Sequence, residues 1–211
     1  MSLSDYFAES IDVLRGAGGA WSESLIAGAV HAVTDALRAG NAVLVCGNGG
    51  SAADAMHITG ELVGRFLIER QALNVICLSS NPAVLTAWAN DYSYETVFSR
   101  QVEAYGQPGG VIIGISTSGN SLNVVQAFQQ AHCRAMKTIA LTGDGGGKLA
   151  PHADYLFAVP SRSTPLIQQA HLCLYHYLCQ AIEREMIVDS NSMEQVEAAA
   201  GLSGHVHHGT P

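Results

Sequence analysis

The chain has 211 residues, 48% hydrophobic and 13% charged, a composition that suits one domain with a core large enough to fold without staples. Its formal net charge is -8, and it contains only two lysines, Lys137 and Lys148, with no basic run. That excludes the electrostatic footprint of a nucleic-acid binder, while a small phosphate ester held by neutral groups stays allowed.

In chain order, the apolar spacing predicts helices over residues 3–16 and 22–39, the second ending at Gly40. A strand at 42–46 leads through Cys46-Gly47-Asn48-Gly49-Gly50-Ser51 into a helix over 52–68 that carries His57 and Glu61, four residues apart. A strand at 74–78 and helices at 82–89 and 95–105 follow. The strand at 111–115 then runs into Ser116-Thr117-Ser118-Gly119-Asn120-Ser121 and a helix over 121–135. Strands at 137–142 and 154–159 and a helix over 165–187 complete the pattern. Short apolar strands without polar alternation, separated by helices, predict a parallel five-stranded sheet covered on both faces: a single-domain, three-layer α/β/α sandwich over residues 1–188. Beyond Asp189 periodicity fades, so a mobile tail with solvated His205, His207 and His208 is expected.

The N-terminus has no basic segment ahead of an apolar stretch, and no long uncharged apolar run follows, which argues against export and membrane spanning. The five cysteines, Cys46, Cys77, Cys133, Cys173 and Cys179, are odd in number and form no C-x-x-C pair. They read as reduced core residues of a cytoplasmic protein.

The two strand-to-helix turns carry the chemistry. Each brings backbone N–H groups and a helix N-terminus together, and neither contains Lys or Arg. A phosphate there would be held by amides, hydroxyls and helix dipoles. Residues 47–52 fit G-x-G-x-x-A, but Ser79-Ser80 stand where a dinucleotide site places its acid. Gly145-Gly146-Gly147-Lys148 fails as a P-loop, because Leu149 stands where Ser or Thr is required. Simple tight turns remain the bland alternative for the glycines.

Taken in order, Cys46 to His57, Ala89-Asn90-Asp91-Tyr92, Gly114 to Ser121, Leu141-Thr142-Gly143 and Ile167-Gln168-Gln169-Ala170-His171 resemble successive motifs of the phosphoheptose isomerases, members of the sugar-isomerase (SIS) superfamily with a flavodoxin-like fold. The resemblance covers roughly residues 5–187. It implies a cytoplasmic homotetramer that converts sedoheptulose 7-phosphate into glycero-manno-heptose 7-phosphate for surface polysaccharide, with one zinc per subunit. By the same resemblance, Asn48, Gly49, Gly50, Ser51, Asn90, Asp91, Ser116, Thr117, Ser118, Ser121 and Gln168, with Glu61, bind the sugar phosphate. Glu61 is implied as general base and His176 as general acid, and His57, Glu61, Gln168 and His176 as the zinc set.

The chemistry is consistent with those types, since moving a proton between C1 and C2 through an enediolate needs a base near carbon and a group that protonates oxygen. Alternatives stay open: His176 as a buried core histidine, His171 as a ligand in its place, Asp91 as a helix cap. Gln168-Gln169 departs from the Gln-Glu of many members. A non-enzymatic scaffold resembling the DnaA initiator-associating protein, or an isomerase of another phosphosugar, are the competing functions.

Overall fold

The computed structural model describes the backbone of residues 2–199 and the side chains of residues 2–187. Its elements are α1 (Leu3–Ala20), α2 (Glu23–Arg38), β1 (Val43–Gly47), α3 (Gly50–Val63), β2 (Val75–Cys77), α4 (Pro82–Asp91), α5 (Val97–Tyr105), β3 (Val111–Ser116), α6 (Leu122–Cys133), β4 (Lys137–Thr142), β5 (Tyr155–Ala158) and α7 (Thr164–Ala199), with short 3₁₀ turns at Tyr94–Thr96 and Gly147–His152.

Local chemistry sets three of the helix starts. Ser2 and Asp5 form a reciprocal capping box on α1, Ser22 caps α2, and Asn81 caps α4 with Pro82 in its first turn. All five strands are parallel, in the order β2-β1-β3-β4-β5. Alternate residues feed opposite faces. Val43, Val45, Ile113, Ile139 and Leu141 pack under α2, α3 and α7, whereas Leu44, Cys46, Ile112 and Ala140 pack under α5 and α6, with Leu85 and Trp88 of α4 alongside. The expected three-layer sandwich is therefore what the strands build.

Strand order dictates where a ligand can sit. From β1 the chain moves outward to β2 and then returns past β1 to β3, so the crossovers diverge between β1 and β3. A crevice opens at such a switch point outside the strand C-terminal ends. Both small-residue turns leave from there, one after β1 and one after β3.

Three expectations are corrected. The helix expected over 52–68 stops at Val63, because the amides of Phe66, Leu67 and Ile68 turn away to bond the Glu183 carboxylate at 3.0, 2.8 and 3.0 Å. The last helix, expected over 165–187, runs to Ala199, and His205, His207 and His208 lie outside the described residues. Cys46, Cys77 and Cys179 are buried free thiols, but Cys133 and Cys173 are exposed, on the outer sides of α6 and α7. Among the described residues no helix is long and apolar enough to cross a membrane.

Candidate active site

The first turn is tight because it must be. Gly49 has φ +56°, a left-handed conformation that side chains disfavour. Glycine there carries the chain from β1 into α3, whose first turn has no side-chain cap, and α6 likewise starts at Ser121 without a side-chain cap bond. Orphan N–H groups at two helix N-termini thus face the same crevice, the ordinary make-up of an anion site.

The second turn is braced from behind. Gly119, at φ +66°, packs directly on Gly146, and the Leu149 amide donates to the Gly119 carbonyl at 2.9 Å. The Gly143 amide donates to the Thr117 carbonyl at 2.9 Å, and the Lys148 amide to Asn120 Oδ1 at 3.1 Å. The glycine run at 145–147 is therefore a buttress for this turn. The Ser116 and Ser121 hydroxyls sit 2.9 Å apart across it, Ser116 buried, with Thr117 and Ser118 progressively more exposed.

Asn48 ties the two turns together. Its Oδ1 accepts from Asn123 Nδ2 at 2.8 Å and from the Tyr94 hydroxyl at 2.9 Å, while its Nδ2 donates to Asn123 Oδ1 at 2.9 Å. Tyr94 follows Asn90 and Asp91, which end α4 and hydrogen-bond each other at 2.9 Å; the next turn is capped by Ser93, so Asp91 is not its cap. Ser51 is buried beneath the first turn beside Gly47. Gln168 sits against the same turn, since a Cβ on Gly50 would collide with its amide nitrogen.

Further along α3, Asp54, His57 and Glu61 share one helix face. His57 Nε2 lies 3.0 Å from Glu61 Oε1 and 3.4 Å from Nε2 of His176, which reaches in from α7. On its other side His57 Nδ1 lies 3.0 Å from the Tyr175 hydroxyl, which donates to Asp54 Oδ1 at 3.4 Å. Burial lifts the Asp54 carboxyl above the usual carboxylate range, partly offset by that hydroxyl and by His57. Phe66 stacks on the His176 ring with centroids 5.5 Å apart.

The SIS-domain family model matches residues 5–143. A phosphoheptose isomerase of Aquifex aeolicus is 53% identical over 157 residues, covering 74% of this chain and 82% of that protein. One from Akkermansia muciniphila is 50% identical over 153 residues, covering 72% and 81%. The structure of a phosphoheptose isomerase from Neisseria gonorrhoeae superposes with a TM-score of 0.81 at 40% identity, covering 86% of this chain and 97% of that one. The chain belongs to the phosphoheptose isomerase family of SIS-domain proteins.

For this family member, the ligand atoms of His57, Glu61 and His176 lie within 4.8 Å of one another. Two nitrogens and one carboxylate oxygen are a donor set that could hold a metal ion, and the 3.0 and 3.4 Å separations from His57 are close to the edge of a tetrahedral site, about 3.3 Å for ligands 2.0–2.1 Å from the ion. The described partner of the His176 ring nitrogen is His57, not a backbone group. His171 belongs elsewhere. Fully buried, it lies 3.1 Å through Nε2 from the Thr142 carbonyl, while Nδ1 has no partner among the described residues.

That burial pushes the His171 imidazole down to about 4. The folded value lies below the unfolded value near 6.5, so the contribution to stability is complete above pH 6.5 and is lost as pH falls toward 4. We expect a loss of about 3 kcal/mol across that window. Urea unfolding of the wild type at several pH values should show it, and His171→Gln should flatten the profile between pH 6.5 and 4; an unchanged slope would remove His171 as its cause.

Sequence reading overlooked several partners. Asp54 was legible, three residues before His57 on the same face; Tyr175, Asn123 and Tyr94 read as ordinary core or loop residues, and Glu183 bonds loop amides that no side-chain motif announces.

Proposed function

We propose that this chain isomerises sedoheptulose 7-phosphate to D-glycero-D-manno-heptose 7-phosphate, an aldose–ketose interconversion feeding heptose synthesis for surface polysaccharide in the cytoplasm. The observation that carries the reading is the meeting of Glu61, His57 and His176, from two helices, in a chain whose phosphate-type turns open at the same sheet edge.

The crevice turns take the phosphate through amides of α3 and α6 and the hydroxyls of Ser116, Thr117, Ser118 and Ser121, with Asn48, Gly49, Gly50 and Ser51 closing the first turn. Asn90, Asp91 and Gln168 orient the sugar hydroxyls. The Glu61 carboxylate removes the C1 proton of the ketose, and the electron pair moves to make an enediolate. His176 gives a proton to O2 and takes back the O1 proton, and the proton on Glu61 returns to C2, so the aldose carries the same atoms as the ketose and both side chains regain their starting states. His57, Glu61, Gln168 and His176 would hold a zinc ion, which supplies polarisation of the sugar oxygens when bound. A pure scaffold has no use for a base and an imidazole facing each other across two helices, which favours the enzyme.

Ser116→Ala, Thr117→Val or Ser121→Ala should each lower kcat/KM by about 1–2 kcal/mol, the scale of one hydrogen bond to a charged oxygen. The test is a panel of ketose phosphates and their unphosphorylated sugars followed by NMR. Equal turnover of the unphosphorylated ketose would overturn the phosphate-cradle reading.

The homotetramer belongs to the same proposal. Leu3, Phe7 and Ile11 form a stripe along α1 that is 73, 60 and 45% exposed, an apolar face suited to a second copy. Phe7→Glu should shift the mass seen by light scattering from four subunits to fewer, and a wild-type monomer would contradict this assembly.

A further inference from the structure

We propose that Tyr175 and Asp54 are positioning residues that keep the ring proton of His57 on Nδ1, leaving its Nε2 lone pair open toward Glu61 and His176. This rests on the reading that His57, Glu61 and His176 hold a cation.

Counting protons decides the direction of the chain of bonds. An ionised Asp54 Oδ1 can only accept, so the Tyr175 hydroxyl, 3.4 Å away, points its hydrogen there. The Tyr175 oxygen then has lone pairs free for His57 Nδ1–H, 3.0 Å away. A neutral imidazole carries one N–H. With it on Nδ1, the Nε2 lone pair faces Glu61 Oε1 at 3.0 Å and His176 Nε2 at 3.4 Å, and with the His176 proton likewise on Nδ1 the three form an electron-rich trio suited to a cation. Without Tyr175 the proton has one good acceptor left, Glu61, and the trio closes on itself as a hydrogen bond.

The framework is rigid where this requires it. Tyr175 is 2% exposed, with its ring fixed among Ala29, Ile58, Leu62 and Leu178 on the face shared by α2, α3 and α7. Its ring meets that of His57 edge-on, centroids 5.3 Å apart. Asp54 stands one turn before His57 on α3, so both ends of the relay are spaced by the helix itself. Among the described residues its second oxygen, Oδ2, is buried without a partner, so the side-chain hydrogen bond of this carboxylate is the one from the Tyr175 hydroxyl. Carboxylate or hydroxyl partners behind a ligating histidine typically change metal affinity by 10–100-fold.

The test uses the full chain stripped of metal by a chelator. Zinc affinity is measured by competition with a chromophoric chelator in the wild type, Tyr175→Phe and Asp54→Asn, alongside thermal unfolding of the zinc-free forms. Tyr175→Phe should bind zinc roughly 10–100-fold more weakly with its unfolding little changed, and Asp54→Asn, whose amide oxygen still accepts, should fall between. Nitrogen-15 spectra of histidine-labelled, zinc-free protein supply a readout that a merely structural role would not move: His57 protonated on Nδ1 in the wild type and on Nε2 in Tyr175→Phe. Unchanged zinc affinity in Tyr175→Phe, or a wild-type His57 already protonated on Nε2, overturns the relay. A wild type that takes up no zinc overturns the cation-site reading itself.

Discussion

Glu61→Gln is expected to lower turnover of the heptose phosphate by a factor of about one hundred or more, the usual cost of losing a positioned general base. The amide keeps the shape of the side chain and can still bond His57, but it cannot take a proton from carbon. Folding should be nearly untouched. The Glu61 side chain faces His57, and the contact that anchors this part of the helix is made by its backbone carbonyl, which accepts from Arg70 Nη2 at 2.9 Å. Steady-state kinetics beside a thermal unfolding curve separates the two effects. Near-wild-type turnover would remove Glu61 from the mechanism, and a collapse of the unfolding temperature would show that the carboxylate serves the fold.

The opposite signature is expected at Glu183. Its side chain is 1% exposed and accepts from three successive amides, those of Phe66, Leu67 and Ile68, while Arg70 Nε stands 3.3 Å from Oε1 without a well-aligned hydrogen bond. The guanidinium of Arg70 in turn donates to the Gly64, Gln71 and Glu61 carbonyls. This pair fastens the end of α3, which bears His57 and Glu61, to α7, which bears His176, and holds Phe66 against the His176 ring. Glu183→Ala strands a buried guanidinium and three amides, and should cost about 3–5 kcal/mol. For a chain of this size that lowers the unfolding temperature by roughly 10 °C. Combining Glu183→Leu with Arg70→Met removes both charges but leaves the three amides unpaired, so it should recover only the part of the loss that comes from the stranded guanidinium. A Glu183→Ala variant within 1 kcal/mol of wild type would show that the latch carries little of the stability.

How much of this was legible in the sequence depended on whether the information was local. The strands at 42–46 and 111–115 announce themselves, because strands buried on both faces read as continuous apolar runs. Helix starts were equally plain where Ser22 or Asn81 supplies a cap. The end of α3 was marked locally only by Gly64, and what draws the following residues off the helix is Glu183, more than a hundred residues away. The site divides the same way. The turn at Asn48–Ser51 and the pair His57 and Glu61 are sequence neighbours, whereas the meeting of His57 with His176 is a product of α3 packing on α7. Tyr175 stayed hidden because its ring behaves as core and only its hydroxyl belongs to the site. His171 shows the converse error: beside a motif it looked a possible ligand, yet its place on α7 turns it inward to Thr142.

Proton transfer at Glu61 is tested most directly by one reaction. Zinc-supplemented wild-type protein is mixed with sedoheptulose 7-phosphate in heavy water and followed by NMR. Proton transfer through an enediolate at Glu61 predicts that the aldose 7-phosphate appears, with solvent deuterium at its C2 in at least part of the product. No aldose, or an aldose formed equally fast by Glu61→Gln, would contradict it.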